Sequence, residues 1–189
     1  MACIFNAEAD DVEAHCRRTV TNLHLDILRR TTPSSMESLF ALAPYLAEDR
    51  FLLLTVDAVF GPSVVPQLLR SATAHPDADG ILGLHDFIDD EKPLRLAVDA
   101  TERVVRLGPD AADSPLITAG LYVFAPRIFS EIAAARAAGL GALREFLGHL
   151  VARGYRLYGA RLPKTIDVDR PEDVRAAEAF IHSGFAEDT

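Results

Sequence analysis

Short apolar runs alternate with helix-forming segments along nearly the whole chain, and that alternation is the strongest constraint on its fold. Ala2–Phe5 and residues 24–30, 51–56, 80–84, 116–124 and 155–160 read as strands. Residues 8–17, 62–72, 127–136, 142–153 and 171–182 read as helices. The clearest helix start is Ser34, followed three residues later by Glu37, with Leu39, Leu42 and Leu46 behind it. That spacing predicts a capping box. Residues 51–56, Phe-Leu-Leu-Leu-Thr-Val, form a continuous apolar run of the kind buried on both faces of a sheet. Two short strands, 94–98 and 103–107, break the alternation and are expected to pair antiparallel. The pattern predicts a mainly parallel α/β sandwich carrying a β-rich insert. No internal repeat, low-complexity tract or linker divides it, so residues 1–189 are expected to form a single domain.

Composition narrows the partners. At 189 residues, 49% apolar and 25% charged, the chain can bury a sizeable core. A net charge of −9 with no basic patch argues against nucleic acid as a partner. Cys3 and Cys16 stand in no CxxC pattern, so a reducing compartment and no disulfide are expected. No apolar run reaches the roughly 20 residues of a membrane span. The first residues lack the basic region of a signal peptide, and a cytoplasmic location is the expectation.

The chemistry gathers in residues 164–173, Lys-Thr-Ile-Asp-Val-Asp-Arg-Pro-Glu-Asp. Carboxylates crowded where a strand hands over to a helix suggest a site for a divalent cation and phosphate. Asp57 ends the run 51–56 in the same way and is expected at the carboxyl edge of a central strand. Its plainer reading is a turn or helix cap. Asp167 and Asp169 would share one face of a strand, where they would repel unless a cation, a base or a proton intervened. Alternatively Asp169 is the N-cap of the last helix, with Pro171 in its first turn, which leaves Asp167 as the stronger metal candidate. Gly120 interrupts the strand 116–124 and marks either a bulge or the close approach of a ligand or backbone. Lys164 either neutralises a phosphate, pairs with Asp167 or is solvated. The acidic stretch of Asp86, Asp89, Asp90 and Glu91 reads as a solvated loop from which Lys92 could reach a substrate. Glycine-rich phosphate loops, the nucleophile elbow and the zinc-hydrolase helix motif are absent from the sequence.

With these residues in hand, the chain resembles the sugar-1-phosphate nucleotidylyltransferases, the enzymes that make nucleotide sugars. Thr55-Val-Asp57-Ala-Val-Phe60 is similar to the family's strand ending in a Mg²⁺-holding aspartate. Thr118-Ala-Gly120-Leu-Tyr-Val-Phe124 is similar to the strand whose glycine approaches the sugar, and residues 166–173 to the late segment that supplies the second metal ligand. Residues 31–35, with Thr32 and Ser34, lie where the family places a base- and ribose-contacting loop. The resemblance implies a three-layer α/β sandwich with a mainly parallel mixed sheet, nucleotide-diphospho-sugar transferase-like. It implies transfer of a nucleotidyl group from a nucleoside triphosphate to a sugar 1-phosphate, with Mg²⁺ held by Asp57 and Asp167, and with Asp169 as a further ligand. Lys164 would contact phosphate, Gly120 would line the sugar pocket, and Glu145 would meet a sugar hydroxyl. A homo-oligomer is compatible with this reading.

Two departures qualify what the resemblance implies. The family's opening strand–loop–helix unit, with its Gly-x-Gly-x-Arg loop, has no counterpart, and Met1 stands at about the family's second strand. Losing about five buried apolar residues would forfeit on the order of 10 kcal/mol, comparable with a domain's whole stability. The expectation is therefore an N-terminally truncated version of the fold in which another segment or chain fills the gap; the alternatives are a fragment, a misplaced start, or a rearranged relative that no longer turns over nucleotide. Gly108-Pro-Asp110 also replaces a frequent Glu-Lys-Pro sugar contact. The rival readings are a non-catalytic nucleotide or sugar-phosphate binding module, and a nucleotide-sugar glycosyltransferase using Asp167-Val-Asp169 as its metal pair.

Overall fold

The computed structural model describes residues 1–87 and 93–185. Asp89, Asp90, Glu91 and Lys92 of the acidic stretch lie outside the described residues. In chain order the first elements are β1 (Ala2–Phe5), α1 (Asp10–Thr19), β2 (Asp26–Arg29), α2 (Ser35–Leu42), β3 (Phe51–Leu54), β4 (Ala58–Phe60) and α3 (Val64–Ala74). Next come β5 (Gly80–His85), β6 (Leu96–Val98), β7 (Val104–Leu107), β8 (Ile117–Phe124) and α4 (Ile132–Ala137). The last are α5 (Leu143–Ala152), β9 (Leu157–Arg161), β10 (Thr165–Asp167) and α6 (Pro171–His182). The chain divides into two compact units: Met1–Arg50 with Pro126–Phe146, and Phe51–Ala125 with Leu147–Thr189.

In the first unit, β1 and β2 pair in parallel, with Ala2 opposite Asp26, and α1 makes the crossover between them. Acidic residues occupy the first turn of α1 and Arg17 and Arg18 its last, a distribution that suits the helix dipole. Ser34 caps α2 as expected, its side chain accepting the Glu37 N–H at 3.3 Å. The second half of the expected capping box is not made. The Glu37 carboxylate instead takes a two-pronged bond from Arg136, at 2.9 and 2.6 Å, because a charged fork outcompetes a single backbone N–H. Met36, Leu39, Phe40 and Leu42 are buried, and Phe40 meets Phe146 edge-on at 4.9 Å. The helix expected over 127–136 begins as a 3₁₀ segment, Pro126–Glu131, and turns α-helical only in α4.

The second unit is built on a four-stranded sheet in the order β3-β8-β5-β9. β3, β5 and β9 run the same way, and β8 lies antiparallel between β3 and β5. All six residues of β5 are buried, as a strand paired on both edges requires. α3 covers one face: its Val64, Leu68 and Ala72 pack with Ile81, Leu121, Val123 and Ala160. The sheet makes room for leucines with glycines. A Cβ at Gly83 would lie 2.4 Å from Leu162 Cδ1, and one at Gly159 would lie 2.4 Å from Leu84 Cδ1. β6 and β7 form the expected antiparallel hairpin. Its turn is held by Asp99 Oδ1, which accepts the N–H groups of Thr101 and Arg103.

β3 differs from its sequence pattern. It is the edge strand of this sheet among the described residues, with Leu52 and Leu53 half-buried and Leu54 40% exposed. A run apolar enough for a central strand is here paired along one side only. Two three-residue strands that the periodicity did not reveal, β4 and β10, pair antiparallel with Ala58 opposite Asp167. α6 packs behind β10, burying Ala177 and Phe180 with Ile166. No helix among the described residues is long and apolar enough to cross a membrane.

Candidate functional site

The β4–β10 pair brings together residues that stand 110 positions apart in sequence. After Leu54 the chain leaves β3, turns through Val56 and Asp57, and re-enters pairing at Ala58. The Val168 N–H donates to the Asp57 carbonyl at 2.9 Å, continuing the ladder one step past the Ala58–Asp167 pair. Asp57 and Asp167 are therefore backbone neighbours on two antiparallel segments. Asp57 Oδ1 is shielded from solvent and has no hydrogen-bond partner among the described residues. A buried carboxylate oxygen left this way costs free energy unless a cation or a donor meets it.

Gly120 of β8 adjoins the same place. Its backbone sits at φ 71°, in the left-handed region that favours glycine. A Cβ there would lie 2.6 Å from Thr55 Oγ1, 3.5 Å from Ala58 Cβ and 3.7 Å from Asp167 Oδ1. The Thr55 N–H donates to the Gly120 carbonyl at 3.1 Å, which fixes the loop against β8. Both readings of Gly120 hold: the β5–β8 register shifts between Leu82 and Leu84, opposite residues 119–121, and the close approach is made within the protein by the Thr55 side chain and its backbone. Among the described residues no group of three or more His, Cys, Asp or Glu side chains could hold a metal. A cation between Asp57 and Asp167 would take its remaining oxygens from water, substrate phosphate or neutral side chains, as Mg²⁺ commonly does. The shielded Asp57 oxygen, without a hydrogen-bond partner among the described residues, fits such an ion.

The other residues singled out in the sequence fall into two groups. Lys164, Thr165 and Asp169 flank Asp167. The Lys164 ammonium lies 3.9 Å from the centroid of the Phe87 ring and 5.7 Å from that of Phe180, a cation–π arrangement. Asp169 is exposed, and because β10 stops at Asp167 the two acids do not share a strand face. Nor is Asp169 the cap of α6. Asp173 Oδ2 accepts the N–H groups of Asp169 and Arg170, at 3.1 and 2.8 Å, since an acid at the third helical position can reach back to the helix start. Thr32, Ser34 and Glu145 belong to the first unit and have local partners. The Thr32 hydroxyl bonds to Ser38 Oγ at 2.6 Å, Ser34 caps α2, and Glu145 Oε2 accepts the N–H groups of Gly141 and Ala142, at 2.6 and 3.1 Å.

Thr55, though part of the motif around Asp57, was assigned no role from the sequence, and neither was His85. Thr55 lies two positions before Asp57, the one spacing that could have marked it. His85 ends β5, and its buried Nε2 lies 3.0 Å from Thr165 Oγ1, tying the first residue of β10 to the sheet. Burial pushes the His85 imidazole below its ordinary range, while the Phe87 backbone and the Asp86 carboxylate pull the other way.

No protein-family model matches the sequence, and comparison with curated proteins finds no match. Solved structures do match. An inositol-1-phosphate CTP transferase from T. maritima aligns over 97% of this chain and 77% of its own, with a TM-score of 0.78 and 19% identity. A putative glucose-1-phosphate thymidylyltransferase from Bacillus anthracis aligns over 100% and 77%, with a TM-score of 0.80 and 14% identity. A UDP-glucose pyrophosphorylase aligns over 97% and 81%, with a TM-score of 0.78 and 14% identity. At these identities the likeness establishes the fold: a mixed α/β architecture of the nucleotide-diphospho-sugar transferase type.

Proposed function

We propose that the protein is a nucleotidyltransferase that joins the nucleotidyl group of a nucleoside triphosphate to a sugar 1-phosphate. In the reaction a phosphate oxygen of the sugar phosphate forms a bond to the α-phosphorus. The bond from that phosphorus to the oxygen bridging toward the β-phosphorus breaks, and pyrophosphate leaves. Asp57 and Asp167 would hold Mg²⁺, which when bound lessens repulsion between two anionic reactants and stabilises charge on the transferred group. Asp57 and Asp167 would otherwise act by position, on backbones that neighbour each other on the β4–β10 pair, with Asp167 Oδ1 3.7 Å from where a Gly120 Cβ would lie. Lys164, three residues before Asp167, would add positive charge for phosphate, and Asp169 would serve as an outer ligand.

The observation that carries this reading is the shielded Asp57 oxygen, without a hydrogen-bond partner among the described residues, on a backbone that neighbours that of Asp167 at the β4–β10 pair. The reactions named for the structural neighbours support the same chemistry. The test is pyrophosphate release measured across the nucleoside triphosphates and a panel of sugar 1-phosphates with Mg²⁺. Turnover with one pair is expected, and Asp57→Asn should lower it on the order of 100-fold or more while the protein stays folded. Full turnover in Asp57→Asn would refute the metal role. No pyrophosphate from any pair would refute the transferase.

A further inference from the structure

We infer that the Thr55 hydroxyl is a third protein oxygen of the divalent-cation site, completing the set begun by Asp57 and Asp167. The inference rests on the cation reading above and adds a ligand to it. Two carboxylates alone leave most of an octahedral shell open, and a cation that shields reacting phosphates gains precision from each fixed donor. Among the described residues no group of three His, Cys, Asp or Glu side chains could hold a metal, and with Asp169 kept as an outer ligand a further inner donor from these residues would be neutral.

Thr55 meets the geometric demands. Its Oγ1 and Asp167 Oδ1 both lie within 4 Å of the point where a Gly120 Cβ would be, at 2.6 and 3.7 Å. Its backbone is pinned to Gly120 by the 3.1 Å bond, so the side chain is not free to drift. It stands two residues before Asp57, on the same turn. The glycine is what lets the hydroxyl in: any side chain at position 120 would push Thr55 Oγ1 out of this place. A threonine hydroxyl, with two acceptor lone pairs, is chemically suited to a hard cation.

The experiment is Mn²⁺ titration of the intact protein, read by loss of the free-ion electron paramagnetic resonance signal. Nucleotide is omitted, so the metal alone is the probe. Thr55→Ser and Thr55→Ala both remove the γ-methyl and relieve rather than create crowding, and they differ only in the hydroxyl. Thr55→Ser should bind Mn²⁺ like the parent, and Thr55→Ala about tenfold more weakly. Thermal unfolding of each variant shows whether it is folded. Parent-like affinity in Thr55→Ala, or equal weakening in both variants, would overturn the inference while leaving the cation site standing. Asp57→Asn separates the two ideas: it should lose the ion. If it retains parent affinity, or if the parent binds none, the cation reading fails and the Thr55 role with it.

Discussion

At position 120 two demands coincide. The backbone takes a φ of 71°, and the Thr55 hydroxyl lies 2.6 Å from where a Cβ would sit. Left-handed backbone costs a non-glycine residue about 1–2 kcal/mol, and the clash adds to it. Gly120→Ala should therefore destabilise by about 2–4 kcal/mol. In a Thr55→Ala background the clash is gone and the φ penalty remains, so the cost of the same change should fall by about 1 kcal/mol or more. Urea midpoints of the four proteins measure this coupling, and simple additivity would show that the two residues do not oppose each other. Glu145 offers a second test at this scale, because its carboxylate takes two N–H groups at the start of α5. Glu145→Ala should cost about 1 kcal/mol through the lost cap. The strand-end positions of Asp57 and Asp167 were legible because an acid closing an apolar run is a pattern visible in one dimension. The local partners of Thr32, Ser34 and Glu145 were not, because a polar side chain's nearest donor depends on how the chain turns.

Two of the three-residue strands, β4 and β10, bring the backbones of Asp57 and Asp167 together, and periodicity could not find them. β4 and β10 have three residues each, too few for alternation to register, and β4 follows β3 after only three intervening residues. Strands with longer apolar runs, β5 and β8 among them, were legible within a residue or two at each end. His85 gives β10 its link to the sheet through Thr165. Its imidazole titrates below its ordinary value of 6.5 in the folded protein. The unfolded chain therefore binds the proton more readily, and this contribution to stability is complete above pH 6.5. It is lost as the pH falls from 6.5 toward the lower folded value. Urea midpoints measured from pH 8 to pH 5 should drop more steeply in the parent than in His85→Gln. Parallel curves would show that burial of this histidine carries no linkage.

For the molecule as a whole, the sequence pattern identified the fold class, and it carries no mark of the two compact units. The boundaries between the two units fall at 50/51, at 125/126 and inside α5, without a run of proline, glycine or serine to mark them. Compactness is set by which segments pack together, a property that composition does not carry. The contrast between β3 and the interior of its sheet predicts uneven sensitivity. Leu54 is 40% exposed, whereas Leu82 and Leu121 are fully buried. Leu82→Ala and Leu121→Ala should each cost about 2–5 kcal/mol, and Leu54→Lys about 0.5 kcal/mol or less; equal losses in a chemical melt would contradict the edge position of β3. Within the same sheet, Gly83 and Gly159 hand their missing volume to Leu162 and Leu84. Each such couple behaves as one inherited character. A lineage could enlarge one member only by trimming the other in the same step, so positions 83 and 162, and likewise 84 and 159, should change together across descendants or stay as they are.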